Sequence, residues 1–413
     1  MVLQSLFLGL SATVAVQQHV KTLRVVASGT KSHMLNFNCN GDECMAKITD
    51  VVVQMVDLTP QVTRTDAIQS FVSQETPIVT ITDSDGATGT GYSYTIGTGG
   101  PAILSLLRET LLPELINQEA ENIEGIWHHL LFKTHATSVG AITSLALAAI
   151  DTALWDLRCH KARLPLYKMA GGAKQSVPLY STEGGWLHIP TDELVSDALS
   201  MKEQGFVGSK IKIGSPHASQ DRERLSAVRE AVGYSFDIMV DANQAFSRSE
   251  ALKRAKMLEE FDIGWFEEPM PADDISGHAD LARHSKIPIA VGESLYSLSQ
   301  FKDYLVQDAC SIVQVDVARI GGITPWLKTA HMAEAFNISV CPHFLMELHV
   351  SLVCAVTNAP LLEYIPQLNV ITQQGMTVSG GVATPSPDPG LGIDWDWPAI
   401  DALTVEGSRF EFK

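Results

Sequence analysis

From residue 177 onward, short apolar runs alternate with longer segments in which apolar residues recur every three or four positions. The runs are Val177 to Tyr180, Ser209 to Ile213, Ile238 to Asp241, Gly264 to Glu267, Ile287 to Glu293, Ile312 to Asp316, Ile338 to His343 and Leu361 to Ile365. Short, apolar and often β-branched, they have the composition of strands covered on both faces. Between them, Asp192 to Gln204, Ser219 to Val232, Ser247 to Phe261, Leu298 to Gln307 and Pro325 to Phe336 carry the helical period. Strict alternation predicts a parallel sheet, and eight strand candidates favour a closed (β/α) barrel over an open doubly wound sheet.

Upstream the pattern differs. ITDVVVQMV and TPIVTITDSDGATGTGYSYT read as strands with a DSDG turn, and helical periods follow over Ala102 to Leu115 and Ala141 to His160. These elements predict an α+β domain of about 120 residues ahead of the barrel. The Gly- and Pro-rich tail after Glu363 is expected to pack back on that domain.

Residues 1 to 44 stand apart, with Lys21, Arg24 and Lys31 but no acid before Asp42. An acid-poor leader of this kind matches a transit peptide, and Leu6 to Val16 resembles the apolar region of a signal peptide, although no basic residue precedes it. The alternatives are an unstructured extension or translation upstream of a start at Met45. The apolar stretch is too short to span a bilayer. A cytoplasmic location is therefore the expectation, with targeting by a cleaved leader as the alternative. Cys39 and Cys44 could bind metal, but a pair without partners carries little weight. Cys159, Cys310, Cys341 and Cys354 fall in apolar segments and read as buried reduced thiols.

The net charge of -18 argues against nucleic-acid binding, which needs a basic surface. It also provides no long-range attraction for an acidic substrate, which must be held by local charges or a metal.

Each of seven successive runs ends in, or close to, one ionisable residue: Lys212, Asp241, Glu267, Glu293, Asp316, His343 and Glu363. In (β/α) barrels the C-terminal strand ends form the working rim. Asp241, Glu267 and Glu293 lie on three successive strands about 4.8 Å apart, so their carboxylates can converge, and three converging carboxylates call for a cation. Oxygen-only ligation indicates a hard divalent ion, Mg²⁺ above all. Lys210 and Lys212, two apart on one strand, point to the same side, where mutual repulsion, with a nearby metal adding to it, would lower a pKa and let Lys212 act as a general base. Asp316 can fix the tautomer of His343 and raise its basicity, which gives a second acid/base group across the rim. A protonated Glu363 could donate a hydrogen bond to developing negative charge. A lysine, an opposed histidine and a metal between them suit proton abstraction α to a carboxylate, through an enediolate.

KIKIG, MVDANQ, WFEEP, VGES, QVDVARIGG, CPHF and LLEY together resemble the mandelate racemase subgroup of the enolase superfamily, from Met45 nearly to the end. AIDTALWDLRCHKARLPLYKMAGG and PGLG belong to the same resemblance. It implies a (β/α)7β-type TIM barrel with an α+β capping domain built from the N-terminal part and the C-terminal tail. The divisions are residues 1–44, a leader or extension; 45–172, the capping domain; 173–366, the barrel; and 367–413, the returning segment. The resemblance also implies Lys212 as base, His343 with Asp316 as the opposed acid/base, and one Mg²⁺ on Asp241, Glu267 and Glu293. Asn243 would contact the α-hydroxyl, Lys210 the carboxylate and Glu363 the enediolate, with Glu268 behind them.

YSTEGGWLHIP, DDISGHADLA and PHFLMELH look most like the L-talarate/galactarate type of acid-sugar dehydratase. The family's cap loops fall at Asp57 to Phe71 and Tyr92 to Gly100, where Thr63, Arg64, Thr65, Gln69, Tyr92, Tyr94 and Thr95 favour a polyhydroxylated acid over an aryl one. Arg64 is placed to pair with a distal carboxylate, and Tyr94 to contact substrate. The leading expectation is a Mg²⁺-dependent dehydratase giving a 2-keto-3-deoxy acid. The alternatives are a racemase or epimerase of an α-hydroxy acid, and a catalytically idle homologue, which usually lacks a base or metal ligand that this chain keeps. The expected partner is a small carboxylic acid, with no nucleic acid or membrane. The resemblance implies a homo-oligomer, an octamer or another symmetric assembly.

Overall fold

The computed structural model describes residues 45–413 apart from 61 and 139, so the leader with Leu6 to Val16, Cys39 and Cys44 lies outside the described residues. Among the described residues, eight parallel strands follow the predicted order: Val177–Ser181, Gly208–Lys212, Asp237–Asp241, Ile263–Glu267, Ile289–Val291, Ile312–Val313, Ser339–Val340 and Leu362–Tyr364. Each of the first six pairs with the next, and the eighth pairs with the first, Glu363 opposite Tyr180. Gly208–Lys212 is buried at every position, as a strand covered by helices on one side and barrel interior on the other must be.

Two strands stop earlier than their apolar runs. Ile312–Val313 ends before Asp316, whose Oδ1 accepts the amides of Ala318 and Arg319 and so turns the chain. Ser339–Val340 ends before Pro342, which has no N–H to give a ladder. Asp316 and His343 thus sit on loops just above the strand ends.

The helices between strands begin at side-chain caps where the sequence offers them: Ser247 accepts from Glu250 N, Asp274 from Gly277 N and Ser297 from Gln300 N. Met346–Ala355 shows no helical period in the sequence because almost all of it is buried, on every side. The predicted helix from Ala102 to Leu115 instead starts at Gly100, widens into a π turn at Leu107–Leu111 and tightens to 3-10 at Leu112–Leu115. Pro113 is the second residue of that 3-10 turn, at its start, where a missing N–H costs least.

Ahead of the barrel, Ile48–Leu58, Gln74–Asp83 and Thr88–Tyr92 form an antiparallel sheet that Phe410–Phe412 joins along Ile48–Leu58. The sheet packs on the helix Ala141–Ala162, and the approach is close enough to exclude side chains: a Cβ on Gly91 would lie 2.2 Å from Ala153 N. The tail does not return to this domain alone. Its hairpin, Thr377–Ser379 with Val382–Thr384, pairs with Val177 and Pro178 and extends the barrel sheet at the antiparallel edge of the first strand.

Asp151 on the long helix accepts from Thr324 N and Oγ1 at 2.9 and 2.7 Å, so one domain caps a barrel helix of the other. Cys159, Cys310, Cys341 and Cys354 are buried and unbridged. No helix among the described residues is long and apolar enough to cross a membrane.

Candidate active site

Strand register assembles one side of the site. Lys212 stands opposite Asp241, and Asp241 opposite Glu267, on three neighbouring strands. Glu293 follows the next strand after Gly292, whose φ of 156° keeps the chain tight against Gln314. One ligand atom each from Asp241, Glu267 and Glu293 lies within 4.8 Å of the others, and all three residues are buried.

The carboxylates are held from beneath. Glu267 Oε2 accepts from Gln314 Nε2 at 2.6 Å and Trp265 Nε1 at 3.0 Å, while its Oε1 faces Lys210 Nζ at 2.8 Å. Asp241 Oδ1 accepts the Asn243 amide at 2.8 Å, and its Oδ2 meets Lys212 Nζ. Glu293 is touched by Arg319 at 3.5 Å and by His343 Nε2, 3.2 Å from an Oε2 that has no hydrogen-bond partner.

Negative charge is in excess here, and the pKa shifts show it. Burial, then Asp241, pushes Glu267 up to about 7 against the pull of Lys210 and Lys212. Burial, then Glu293 and Asp241, raises Glu268 well above the carboxylate range, and neither of its oxygens has a hydrogen-bond partner. A hard divalent cation at the triad would relieve this repulsion with oxygen ligands only, so the residues present fit one.

Before a cation binds, the same excess works against the low pKa expected of Lys212. Burial and the neighbouring Lys210 both disfavour its ammonium, but Asp241, helped by Glu267 and Glu293, outweighs them and raises its pKa. Repulsion between two lysines cannot lower it while carboxylates outnumber them.

Opposite Lys212, His343 Nδ1 lies 2.9 Å from Asp316 Oδ2. Burial would raise Asp316, but the bond and charge of His343 bring it down to about 2, so Asp316 is ionised and Nδ1 carries the proton. The next residue, Phe344, has φ 69°, a left-handed conformation that costs a non-glycine residue about 1–3 kcal/mol and is found at functional sites. Its amide donates to Glu363 Oε2 at 2.8 Å.

Glu363 is not the protonated acid expected. Burial would raise it, yet Lys210 Nζ at 2.8 Å and the Thr182 hydroxyl at 2.6 Å, together with the charge of His343, hold it well below the usual range. Ionised, it can only accept, and the donor at this position is Lys210.

The cap residues also differ from expectation. Arg64 is buried, not exposed. It pairs with Glu183, donates to Gln367 Oε1 at 2.8 Å and lies over the rings of Phe71 and Phe344, so it joins cap to barrel and has no free charge for a distal carboxylate. Tyr94 donates to Asp316 Oδ2 at 2.7 Å and is fully buried, so it serves the dyad rather than substrate. Thr95 is taken up by Glu75. The polar groups of Arg64, Tyr94 and Thr95 are thus spent within the protein. Asn243 fits its expected place better: φ 44° is tolerated by Asn, and its buried Oδ1 has no partner.

Gln314, Trp265, Thr182 and Arg319 escaped the sequence reading. Gln314 had a signal, since it is two residues before Asp316 and shares its side of the chain.

Two family models match this chain, one for the mandelate racemase / muconate lactonizing enzyme N-terminal domain over residues 48–171 and one described as enolase C-terminal domain-like over residues 193–399. The chain belongs to the mandelate racemase subgroup of the enolase superfamily. Superfamily relatives include the L-talarate/galactarate dehydratase of Salmonella typhimurium, 37% identical over 316 residues, 76% of this chain and 79% of that protein. The 3,6-anhydro-alpha-L-galactonate cycloisomerase of Streptomyces coelicolor is 36% identical over 329 residues, 79% of this chain and 91% of that one. The crystal structure of the Salmonella dehydratase liganded with Mg and L-lyxarohydroxamate superposes with a TM-score of 0.86 at 32% identity, covering 93% of this chain and 99% of that one. The superfamily barrel and its cap are therefore the fold of this chain.

Proposed function

We propose that this chain is a Mg²⁺-dependent hydro-lyase that dehydrates an acid sugar to a 2-keto-3-deoxy acid. One observation carries the reading: Lys212 and the His343–Asp316 dyad approach different members of one buried carboxylate triad, Lys212 at Asp241 and His343 at Glu293. A planar carbon held over that triad is reached by one proton carrier from each side.

Asp241, Glu267 and Glu293 would hold the ion, which when bound supplies positive charge to the substrate carboxylate and to the enediolate derived from it. Lys212, once neutral, takes the α proton, and the C–H electron pair moves into the carboxylate. Lys210 faces the carboxylate oxygens with an ammonium kept charged by Glu267 and Glu363. Asn243 Oδ1 accepts from the α-hydroxyl. His343 Nε2, in its protonated state, gives a proton to the β-hydroxyl as the C–O bond breaks; water leaves, and the enol gains a proton to become the keto acid. Asp316 stabilises the imidazolium before that transfer.

The named activities of the relatives support elimination, and the cycloisomerase keeps an isomerase as the runner-up. The test is a panel of acid sugars incubated with Mg²⁺ in deuterated water. Dehydration yields a keto acid trapped by semicarbazide; deuterated, inverted acid without keto product would favour the isomerase, and no reaction with any acid would overturn the proposal.

A further inference from the structure

His343 and Asp316 belong to the barrel, but the hydrogen bonds around them run through the cap. The Tyr94 hydroxyl donates at 2.7 Å to Asp316 Oδ2, the oxygen that also receives His343 Nδ1. Arg319 Nε donates to the Tyr94 oxygen at 3.1 Å, and Arg319 NH1 donates to the Glu293 carbonyl at 3.0 Å. Four hydrogen bonds thus run from His343 through Asp316, Tyr94 and Arg319 to Glu293, whose Oε2 comes within 3.2 Å of His343 Nε2.

A second contact runs through the rings. Tyr94 packs on Phe344 at 4.7 Å between centroids, and Phe344 stacks on His343 at 5.3 Å and 16°. One cap residue therefore bonds the partner of the imidazole and backs the residue stacked on it. Its own backbone is fixed on both sides, Ser93 N donating to Pro77 O at 3.1 Å and Thr95 N to Glu75 O at 2.8 Å. At Lys212 the groups found against the ammonium, Asp241 and the Trp186 ring, are from the barrel, and the cap meets them through Phe71, edge-on to Trp186 at 6.2 Å.

We infer that Tyr94 is a positioning residue that makes the His343 half of the site depend on cap docking. The inference deepens the proposed function and rests on it for its kinetic consequence. Loss of the hydroxyl frees Asp316 Oδ2 to reorient and leaves Arg319 Nε without its acceptor. Proton abstraction by Lys212 continues, but proton delivery by His343 slows. The intermediate then returns to substrate more often before water is lost.

The experiment uses the full chain and Tyr94→Phe, which keeps the ring and its packing. In protein labelled with ¹⁵N-histidine, the low-field Nδ1–H signal that disappears in His343→Asn identifies the dyad. That signal is expected to shift or broaden in Tyr94→Phe with the melting temperature little changed; an unchanged signal overturns the inference without any substrate. With an acid sugar that wild type dehydrates, in deuterated water, kcat should fall about 10- to 100-fold, as outer-partner losses do, with KM little changed. Deuterium in recovered substrate per keto acid formed should rise severalfold. An equal fall in exchange and elimination would overturn the role assigned to Tyr94. Failure of wild type on every acid would instead remove the dehydratase reading and leave the spectroscopic result to decide.

Discussion

Lys212 and Asp241 are register partners on adjacent strands, and the Lys212 ammonium rests on a carboxylate of the metal-binding triad. Removing it takes away a cation that competes for that carboxylate as well as the proposed base. Lys212→Ala should therefore bind Mg²⁺ at least as tightly as wild type, by calorimetry, while turnover falls by about 10²- to 10⁴-fold, the range for general acid–base groups. Its solvent exchange at the α carbon should vanish too. His343→Asn should lose turnover to a similar degree but keep that exchange. If both variants exchange equally, the two residues do not work on successive steps from opposite sides.

Glu293 contributes to the triad an oxygen that no hydrogen bond satisfies. Glu293→Gln removes one negative charge and should weaken Mg²⁺ binding by on the order of 100-fold or more, the upper end of what changes behind a metal ligand cost. Unchanged affinity would take Glu293 out of the ligand set.

Glu267 is held by neighbours that the sequence does not advertise. Gln314 Nε2 and Trp265 Nε1 converge on one of its oxygens, leaving the other to Lys210. Gln314→Leu keeps the volume but removes the shorter of the two bonds to that oxygen, and Mg²⁺ affinity should drop about 10- to 100-fold without loss of fold. Equal affinity in the variant, with an intact melting curve, would mean that the strands alone orient Glu267.

The ring from Lys212 to Glu363 was legible because strand and helix lengths repeat and each apolar run ends in, or close to, a single charge. What lay outside it was legible only as chemistry without partners. Arg64 and Tyr94 read as polar loop residues, yet Glu183 and Asp316 claim them across 119 and 222 residues. Glu363 read as an acid that could stay protonated; its charge is set by Lys210, from the strand two places along the barrel sheet. Burial and net local charge decide these pKa values, and neither is a property of a sequence window. The helix Met346–Ala355 was lost for a related reason, since burial on every side erases the period by which helices are recognised.

The last prediction concerns a histidine outside the proton-transfer chemistry. His349 is completely buried and its Nε2 accepts from Val317 N at 3.1 Å, next to Asp316. Burial lowers its pKa to about 4, from an ordinary 6.5, despite the attraction of Asp316. The unfolded chain therefore takes up a proton below about pH 6.5 that the folded chain refuses until about pH 4. Stability carried by this residue is complete above pH 6.5 and drains away as the pH falls towards 4, by about 2 kcal/mol at pH 5. In His349→Gln an amide oxygen can still accept from Val317 N, but no proton is taken up. Urea unfolding measured from pH 8 to pH 5 should show the wild type losing about 2 kcal/mol more than the variant. Parallel curves would show that His349 is protonated in the folded protein, and that the turn carrying Asp316 is held by some other acceptor.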